Sequence, residues 1–277
     1  MPIDTPSTVH VPVGSWTFDV SLGGSEHGVP VLLLHGFPQT DACFDSVRER
    51  LHEAGLRTVA PRQRGYSPGA RPAGVEAYTM KQLAEDAAGV LDALDIPYAH
   101  LVGHGLGATV AWHFAAAYPL RAMSLTAVSF GHPSAFGDAL ANDPDQRQRS
   151  RYLELFLTAG EAEKQLLDNN ARTLLATAPG GGIDAVANGP TLTAGLNWYR
   201  ANMIPGGEGL ECPVIEVPTT LVWGARDAIA GQAQARGTAR YLRADYRLSE
   251  VPDGDHWLPL RAPAALASEI ALRTLRN

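Results

Sequence analysis

The hydrophobic positions of the chain follow two alternating patterns. Residues Val29–Leu34 form a nearly continuous apolar run, the pattern of a strand that is buried on both faces. Residues Met80–Leu94 instead repeat leucine, alanine and valine at helical spacing, which predicts a helix with one face against a sheet. Strands that alternate with helices in this way favour right-handed βαβ units and a mostly parallel sheet.

The pattern changes in the middle of the chain. From about Ser134 to Cys212 it shows helical spacing, several glycine and proline breaks and no buried strand. We therefore predict a core in two parts, residues 1–133 and 213–277, with a helical cap of residues 134–212 inserted between them. The other predicted elements are a hairpin over Val9–Leu22, strands at Leu56–Ala60, Ala99–Val102, Ser124–Phe130, Pro218–Gly224 and Tyr246–Val251, and helices over Ala42–Ala54, Thr109–Tyr118 and Pro263–Leu275.

Composition narrows the class of protein. A chain of 277 residues with 45% hydrophobic and 18% charged residues is typical of a large packed α/β domain that carries an insertion. The net charge of −7 gives no electrostatic reason to expect nucleic acid or an anionic membrane as partner. No apolar run reaches the ~20 residues that span a bilayer. Residues Met1–Val13 lack the features of a signal peptide, so a cytoplasmic protein is the expectation.

The cysteine count and the charge pattern also bear on ligands. Cys43 and Cys212 are far apart in sequence and predict neither a disulfide framework nor a zinc site. We expect no cofactor and no metal, and a small molecule as the partner. The sequence is compatible with a monomer or a homodimer.

A glycine-rich turn between a predicted strand and a predicted helix is the first candidate for chemistry. The residues Gly103-His104-Gly105-Leu106-Gly107 have the frame of a nucleophile elbow, G-x-S-x-G, which lifts a catalytic side chain above a sheet. Position 105, where the nucleophile belongs, is glycine. A phosphate-binding loop is the rival interpretation, but the G-x-G-x-x-G spacing is absent.

Two polar residues after later strands complete a candidate constellation. Asp227 follows the strand near 218–224, and His256 follows the strand near 246–251, in the chain order nucleophile, acid, histidine. A histidine can move a proton near pH 7, and a carboxylate can fix its tautomer. Asp227 could instead be the N-cap of a helix over Ala228–Ala239, and His256 could be an ordinary core or surface histidine.

At these motifs the chain resembles the α/β-hydrolase family, in its branch of epoxide hydrolases and haloalkane or haloacid dehalogenases. The run His35-Gly36-Phe37-Pro38 is similar to the oxyanion segment, and the run Asn197-Trp198-Tyr199-Arg200 to the epoxide hydrolase cap signature. The resemblance implies an oxyanion hole made by the backbone N–H groups of Phe37 and Leu106. It also implies substrate contacts from His35, Pro38, Tyr152, Trp198 and Tyr199, although the aromatic residues could simply pack within the cap.

The glycine at position 105 leaves several functions open. That branch of the family reads aspartate there, and serine esterases and lactonases read serine. Our leading interpretation is an epoxide hydrolase-like enzyme for a small, largely apolar substrate, with a nucleophile–His–Asp mechanism from which engineering has removed the nucleophile. A natural member that lost hydrolysis, and direct activation of water by His256 with Asp227, are the competing accounts. The alternative functions are a serine-type ester or lactone hydrolase and a non-catalytic ligand-binding protein.

Overall fold

One sheet of eight strands forms the centre of the structure, a computed structural model that describes residues 7–275, without the side chains of residues 169–172, 174, 175 and 177. The first six residues of the N-terminal segment considered above lie outside this range. The strands are Ser7–Val13 (β1), Trp16–Gly23 (β2), Pro30–Leu34 (β3), Arg57–Pro61 (β4), Ala99–His104 (β5), Ala122–Val128 (β6), Thr219–Gly224 (β7) and Tyr246–Val251 (β8).

The strand order is β1-β2-β4-β3-β5-β6-β7-β8. The pairs β1–β2 and β2–β4 are antiparallel, and all the other neighbouring pairs are parallel. The prediction of a mostly parallel sheet that begins with an antiparallel hairpin is confirmed. In this arrangement the carboxyl ends of β5, β6, β7 and β8 meet at one edge of the sheet, where open α/β sheets place their sites.

Helices cover both faces of this sheet. Side chains of β3 alternate between the two sides: Leu32 and Leu34 pack in a cluster with residues of α2 and α3, and Val31 and Leu33 pack in a second cluster with residues of α1 and α11. The helices are Asp45–Glu53 (α1), Met80–Ala93 (α2), Leu106–Ala117 (α3), Pro133–Asn142 (α4), Pro144–Arg149 (α5), Tyr152–Phe156 (α6), Glu161–Thr177 (α7), Gly189–Asn202 (α8), Gln232–Gly237 (α9), Leu258–Arg261 (α10) and Pro263–Thr274 (α11).

Two helix boundaries differ from the sequence pattern by more than one residue. The predicted helix over 42–54 is divided, because residues Asp41–Phe44 form a 3₁₀ turn with Thr40 as its N-cap before α1 begins. Helix α3 begins at Leu106, three residues earlier than predicted, because the turn at Gly105 leads straight into it. The second difference places the N-terminus of α3 directly at the elbow.

Five helices, α4 to α8, lie between β6 and β7, and the described residues of this stretch contain no strand that joins the sheet. We call residues 133–202 the helical insert. Trp198 of α8 donates a hydrogen bond from Nε1 to the carbonyl oxygen of Arg64 at 3.0 Å, which ties the insert to the core. Inside the insert, the Arg200 guanidinium pairs with both carboxylate oxygens of Glu163, at 2.8 and 2.9 Å. The division into core and cap stays a prediction.

Within residues 7–275, none of the helices has the length and apolar composition needed to cross a membrane.

Candidate active site

The elbow is a sharp turn at Gly105, between the end of β5 and the first residue of α3. Gly105 has φ 56° and ψ −125°, a left-handed conformation that glycine adopts freely. A Cβ atom at this position would lie 3.5 Å from Nε2 of His256 and 3.9 Å from Cα of Gly36, both ordinary contacts. The turn therefore has room for a side chain, and that side chain would begin beside His256.

The acid and the histidine predicted from the sequence meet beside the elbow. Nδ1 of His256 lies 2.8 Å from Oδ2 of the buried Asp227 carboxylate. The other oxygen, Oδ1, accepts hydrogen bonds from the backbone N–H groups of Ile229 at 2.7 Å and Ala230 at 2.8 Å. A carboxylate held in this way keeps a proton on Nδ1, so Nε2 faces position 105. Helix α9 has Gly231 as its N-cap, so Asp227 caps the preceding turn instead of that helix.

The backbone carbonyl of His256 is held by residues at the ends of two strands, β5 and β6. It accepts hydrogen bonds from Nε2 of His104 and from Oγ of Ser129, each at 2.8 Å. Burial, followed by the effect of His256, lowers the pKa of His104 to about 3, so this ring is neutral with its proton on Nε2. His104 thus has a structural contact in the elbow. Ser129 was not singled out from the sequence, although a polar residue directly after a buried strand is a usable signal.

A cavity of about 310 Å³ opens above the elbow. Its walls are mostly apolar, and neither lysine nor arginine is among the described residues that line it. The polar groups at its surface include Nε2 of His256 and two phenol hydroxyls from the helical insert. The lining residues are Phe37, Pro38, Gly105, Leu106, Phe130, Tyr152, Phe156, Tyr199, Ile229, His256 and Trp257.

The two tyrosines of the cavity are neutral hydrogen-bond donors. Burial raises the pKa of Tyr152 and Tyr199 far above the ordinary value, with a further contribution from Asp227 at Tyr152. Their ring centroids are 6.2 Å apart at an interplanar angle of 89°. Neither hydroxyl has a hydrogen-bond partner among the described residues, so both O–H groups are available to a ligand.

The structure brings most of the predicted site residues to this cavity. Gly105, Leu106, His256, Phe37, Pro38, Tyr152 and Tyr199 line it, with Asp227 behind His256. Leu106 is the first residue of α3. Its backbone N–H is therefore one of the first four of this helix, which have no acceptor within the helix. The oxyanion role of Phe37 and Leu106 stays a prediction, and the Phe37–Pro38 peptide bond beside them is cis.

His35 and Trp198 are not brought to the cavity lining. Both are fully buried, and their rings stack at a centroid distance of 6.3 Å. Nε2 of His35 accepts a hydrogen bond from the backbone N–H of Gln63 at 3.2 Å. Burial lowers the pKa of His35 to about 4, which keeps the ring neutral. In this arrangement neither ring reaches the cavity, and the substrate contact predicted for them has no place in the lining.

Four apolar lining residues were missed by the sequence reasoning: Phe130, Phe156, Ile229 and Trp257. Phe130 and Ile229 come shortly after the ends of β6 and β7, and Trp257, next to His256, follows the end of β8. A position shortly after a strand is therefore the sequence signal that could have identified these three residues. No group of three histidine, cysteine, aspartate or glutamate side chains within the described part of the chain could hold a metal ion.

Comparison with known proteins gives consistent matches over most of the chain. The profile described as "Alpha/beta hydrolase family" matches residues 31–269, a range that includes the elbow, Asp227 and His256. The AB hydrolase superfamily protein YfhM of Bacillus subtilis is 30% identical over 275 residues, which covers 94% of this chain and 95% of that protein. Epoxide hydrolase 3 of Xenopus tropicalis is 32% identical over 269 residues, covering 89% of this chain and 71% of that protein. Among solved structures, epoxide hydrolase A from Mycobacterium thermoresistibile has a TM-score of 0.82 at 25% identity, with 99% of each chain covered.

Proposed function

The chain belongs to the alpha/beta hydrolase family, and from this membership we propose that its cavity is an epoxide hydrolase-type site that lacks only the nucleophile. The observation that carries the proposal is the arrangement of polar groups in an otherwise apolar cavity. Two unpaired phenol O–H groups, of Tyr152 and Tyr199, share this cavity with Nε2 of His256 and position 105. An epoxide needs such a set, namely donors for its oxygen and a nucleophile for its carbon.

The reaction that this site would serve has two steps. A carboxylate at position 105 attacks an epoxide carbon, the ring C–O bond breaks, and a tyrosine O–H protonates the oxygen. Water then attacks the carbonyl carbon of the resulting ester while His256 takes one of its protons. The ester C–O bond breaks and the diol leaves with the proton from His256. The carboxylic acid formed at position 105 loses its proton, and the tyrosinate regains one, which restores the starting state. The N–H groups of Phe37 and Leu106 would stabilise the oxyanion that forms in this second step.

Glycine at position 105 prevents the first step. In a serine protease, removal of the nucleophile lowers kcat by about 10⁶-fold, and we expect a loss of that order here. The chain as it stands therefore binds a small, largely apolar epoxide or its diol without detectable turnover. The simplest history is the replacement of an aspartate by design, since a site released from selection would be expected to lose further parts, whereas Asp227, His256 and both tyrosines are present.

The experiment restores candidate nucleophiles. Gly105→Asp and Gly105→Ser are assayed against epoxide, haloacid, ester and lactone panels, with Gly105→Asn as the matched control that has the shape of aspartate without its charge. We expect the aspartate variant to open epoxides and the asparagine variant to be inert. A covalent ester adduct, observed by mass spectrometry during turnover, would establish the two-step route.

Two results would contradict the proposal. Ester or lactone hydrolysis by the serine variant, with an inert aspartate variant, would make the protein a serine-type hydrolase. Tight binding of an apolar ligand by the unsubstituted protein, with both variants inert, would make it a non-catalytic binding protein. The roles of the tyrosines are tested in the aspartate variant, where Tyr152→Phe and Tyr199→Phe should each lower kcat without loss of the fold.

A further inference from the structure

The loop that carries Asp227 is held from outside by the helical insert. We call residues 227–231, which lie between β7 and α9, the acid loop. Two side chains of the short helix α5, Gln146 and Arg149, form hydrogen bonds to this loop. We propose that Gln146, with Arg149, is a positioning residue that orients Asp227 and through it His256 for hydrolysis of the ester intermediate. The step assigned to these residues rests on the proposed function.

The side-chain amide of Gln146 is matched to two backbone groups of the acid loop. The side chain is fully buried. Its Nε2 donates a hydrogen bond to the carbonyl oxygen of Ile229 at 2.9 Å, and its Oε1 accepts one from the N–H of Gly231 at 2.7 Å. Nε2 also donates to Oγ of Ser150 at 3.0 Å, so both N–H groups of the amide are used. Gln146 therefore holds the backbone of the loop at two points.

One peptide unit connects Gln146 to the acid. The carbonyl of Ile229 and the N–H of Ala230 belong to the same planar trans peptide, and they point in opposite directions. The carbonyl accepts the hydrogen bond from Gln146, and the N–H donates to Oδ1 of Asp227 at 2.8 Å. Because the peptide is rigid, a rotation that breaks one of these hydrogen bonds also moves the other. Gln146 thus fixes the plane whose N–H orients the carboxylate.

Arg149 holds the same loop at the acid itself. Its Nη1 donates a hydrogen bond to the backbone carbonyl oxygen of Asp227 at 2.5 Å. A Cβ atom at Gly231 would lie 3.1 Å from Oε1 of Gln146 and 3.3 Å from Cδ of Arg149, so glycine at this position lets α5 approach the loop closely. The insert therefore holds the acid loop in addition to lining the cavity.

The consequence for the reaction is confined to one step. In the proposed mechanism the tyrosines act when the epoxide opens, and His256, oriented by Asp227, acts when water attacks the ester. A displaced Asp227 carboxylate therefore slows hydrolysis of the ester and leaves its formation unchanged. A general loss of fold or of cavity shape would instead slow both steps.

The test introduces Gln146→Met into the Gly105→Asp variant. Methionine has nearly the length of glutamine and makes neither hydrogen bond to the loop. Rapid-quench mass spectrometry in a single turnover measures formation and hydrolysis of the ester separately. We expect hydrolysis to slow by about 10- to 100-fold, because a displacement of about 1 Å in a reacting group has a cost of this order, and formation to be unchanged. Gln148→Met is the matched control, since Gln148 is an exposed glutamine of the same helix, and it should change neither rate.

A second readout needs no reaction. In the unsubstituted protein, the proton on Nδ1 of His256 is buried against the Asp227 carboxylate and should give a low-field ¹H NMR resonance. Gln146→Met should broaden this resonance through faster exchange with water, whereas Gln148→Met should leave it sharp. Thermal melts check that both variants are folded. If Gln146→Met is unfolded, Arg149→Met takes its place, because Arg149 is partly exposed, and it should broaden the resonance and slow the same step.

The outcomes separate the two proposals. Equal slowing of both steps by Gln146→Met, or unchanged hydrolysis of the ester, would overturn the positioning role and leave the proposed function standing. The same results with Arg149→Met would overturn it where that variant is used. An inert Gly105→Asp variant would overturn the proposed function. In that event the Nδ1 resonance of His256 decides, and a resonance that stays sharp in the substituted protein would overturn the positioning role as well.

Discussion

Replacing Gly105 by alanine should destabilise the protein through backbone strain alone. The residue has φ 56° and ψ −125°, where side chains other than glycine cost about 1–3 kcal/mol. Steric overlap adds little, because the nearest atom to the new Cβ, outside residues 104–106, is Nε2 of His256 at 3.5 Å. We therefore expect Gly105→Ala to lower the free energy of unfolding by about 1–3 kcal/mol.

The effect is large enough to measure. Domains of this size change Tm by about 2 °C for each kcal/mol, so the expected decrease in Tm is roughly 2–6 °C. Urea unfolding at neutral pH gives the free energy, and calorimetry gives Tm. Gly189→Ala is a matched control, because Gly189 is the first residue of α8, has no left-handed φ, and has nothing within 4 Å of an added Cβ. Alanine there should be neutral or slightly stabilising.

A second comparison separates strain from collision. A Cβ at Gly107 would collide with the carbonyl oxygens of Leu34 and His35, although the residue lies inside α3 and has no left-handed φ. Gly107→Ala should therefore destabilise more than Gly105→Ala, because rigid backbone atoms must move. If Gly105→Ala is as stable as the unsubstituted protein while Gly189→Ala and Gly107→Ala behave as expected, the elbow is not strained and the reasoning is wrong.

Three further predictions concern the side chains around the site. In an active aspartate variant at position 105, Asp227→Asn should lower kcat by about 10⁴-fold in steady-state assays, because an amide fixes the wrong tautomer of the histidine. An unchanged kcat would exclude Asp227 as the residue that orients His256. Trp198→Phe leaves the carbonyl of Arg64 without its hydrogen bond and should cost about 1–3 kcal/mol in urea unfolding. Partial burial favours the neutral form of Glu163, but its hydrogen bonds and charge pairing with Arg200 outweigh this and lower its pKa from 4.5 to about 2. The ion pair therefore stabilises the fold above pH 4.5 and loses this effect as the pH falls towards 2. The difference in unfolding free energy between Glu163→Gln and the unsubstituted protein should be largest at neutral pH and should disappear as the pH falls towards 2. A difference that does not change with pH would refute the stabilising role of this ion pair.

The strands could be predicted from the sequence because burial on both faces leaves a direct mark on it. The run that became β3 is apolar throughout since its side chains alternate between two buried clusters. The range given for β8 matches the structure, Tyr246–Val251. The division of the first helix at Phe44 could not be predicted, because it depends on a local cap by Thr40, to which a hydrophobic pattern is insensitive.

The cavity lining was harder to predict than its frame. Trp198 and Tyr199 are consecutive residues of α8, and consecutive helical side chains point about 100° apart. Tyr199 lines the cavity, whereas Trp198 is buried in the core. There the Nε1–H of Trp198 donates a hydrogen bond to the carbonyl oxygen of Arg64, 134 residues away in sequence, and this contact fixes which side of α8 faces the core. Long-range contacts of this kind orient a helix, and no local pattern encodes them.

The double hydrogen bond to the carbonyl of His256 has a consequence for evolution. His104 and Ser129 hold this loop against the elbow, and neither contact involves residue 105. The position of the histidine is therefore independent of the side chain at residue 105, so the scaffold can stay intact whichever side chain stands there. The glycine codons GGT and GGC each differ by a single base from an aspartate codon and from a serine codon, so a gene that uses either codon at position 105 is one point mutation from either side chain. Overall similarity to relatives does not reveal which residue stands at the elbow, since it measures the scaffold.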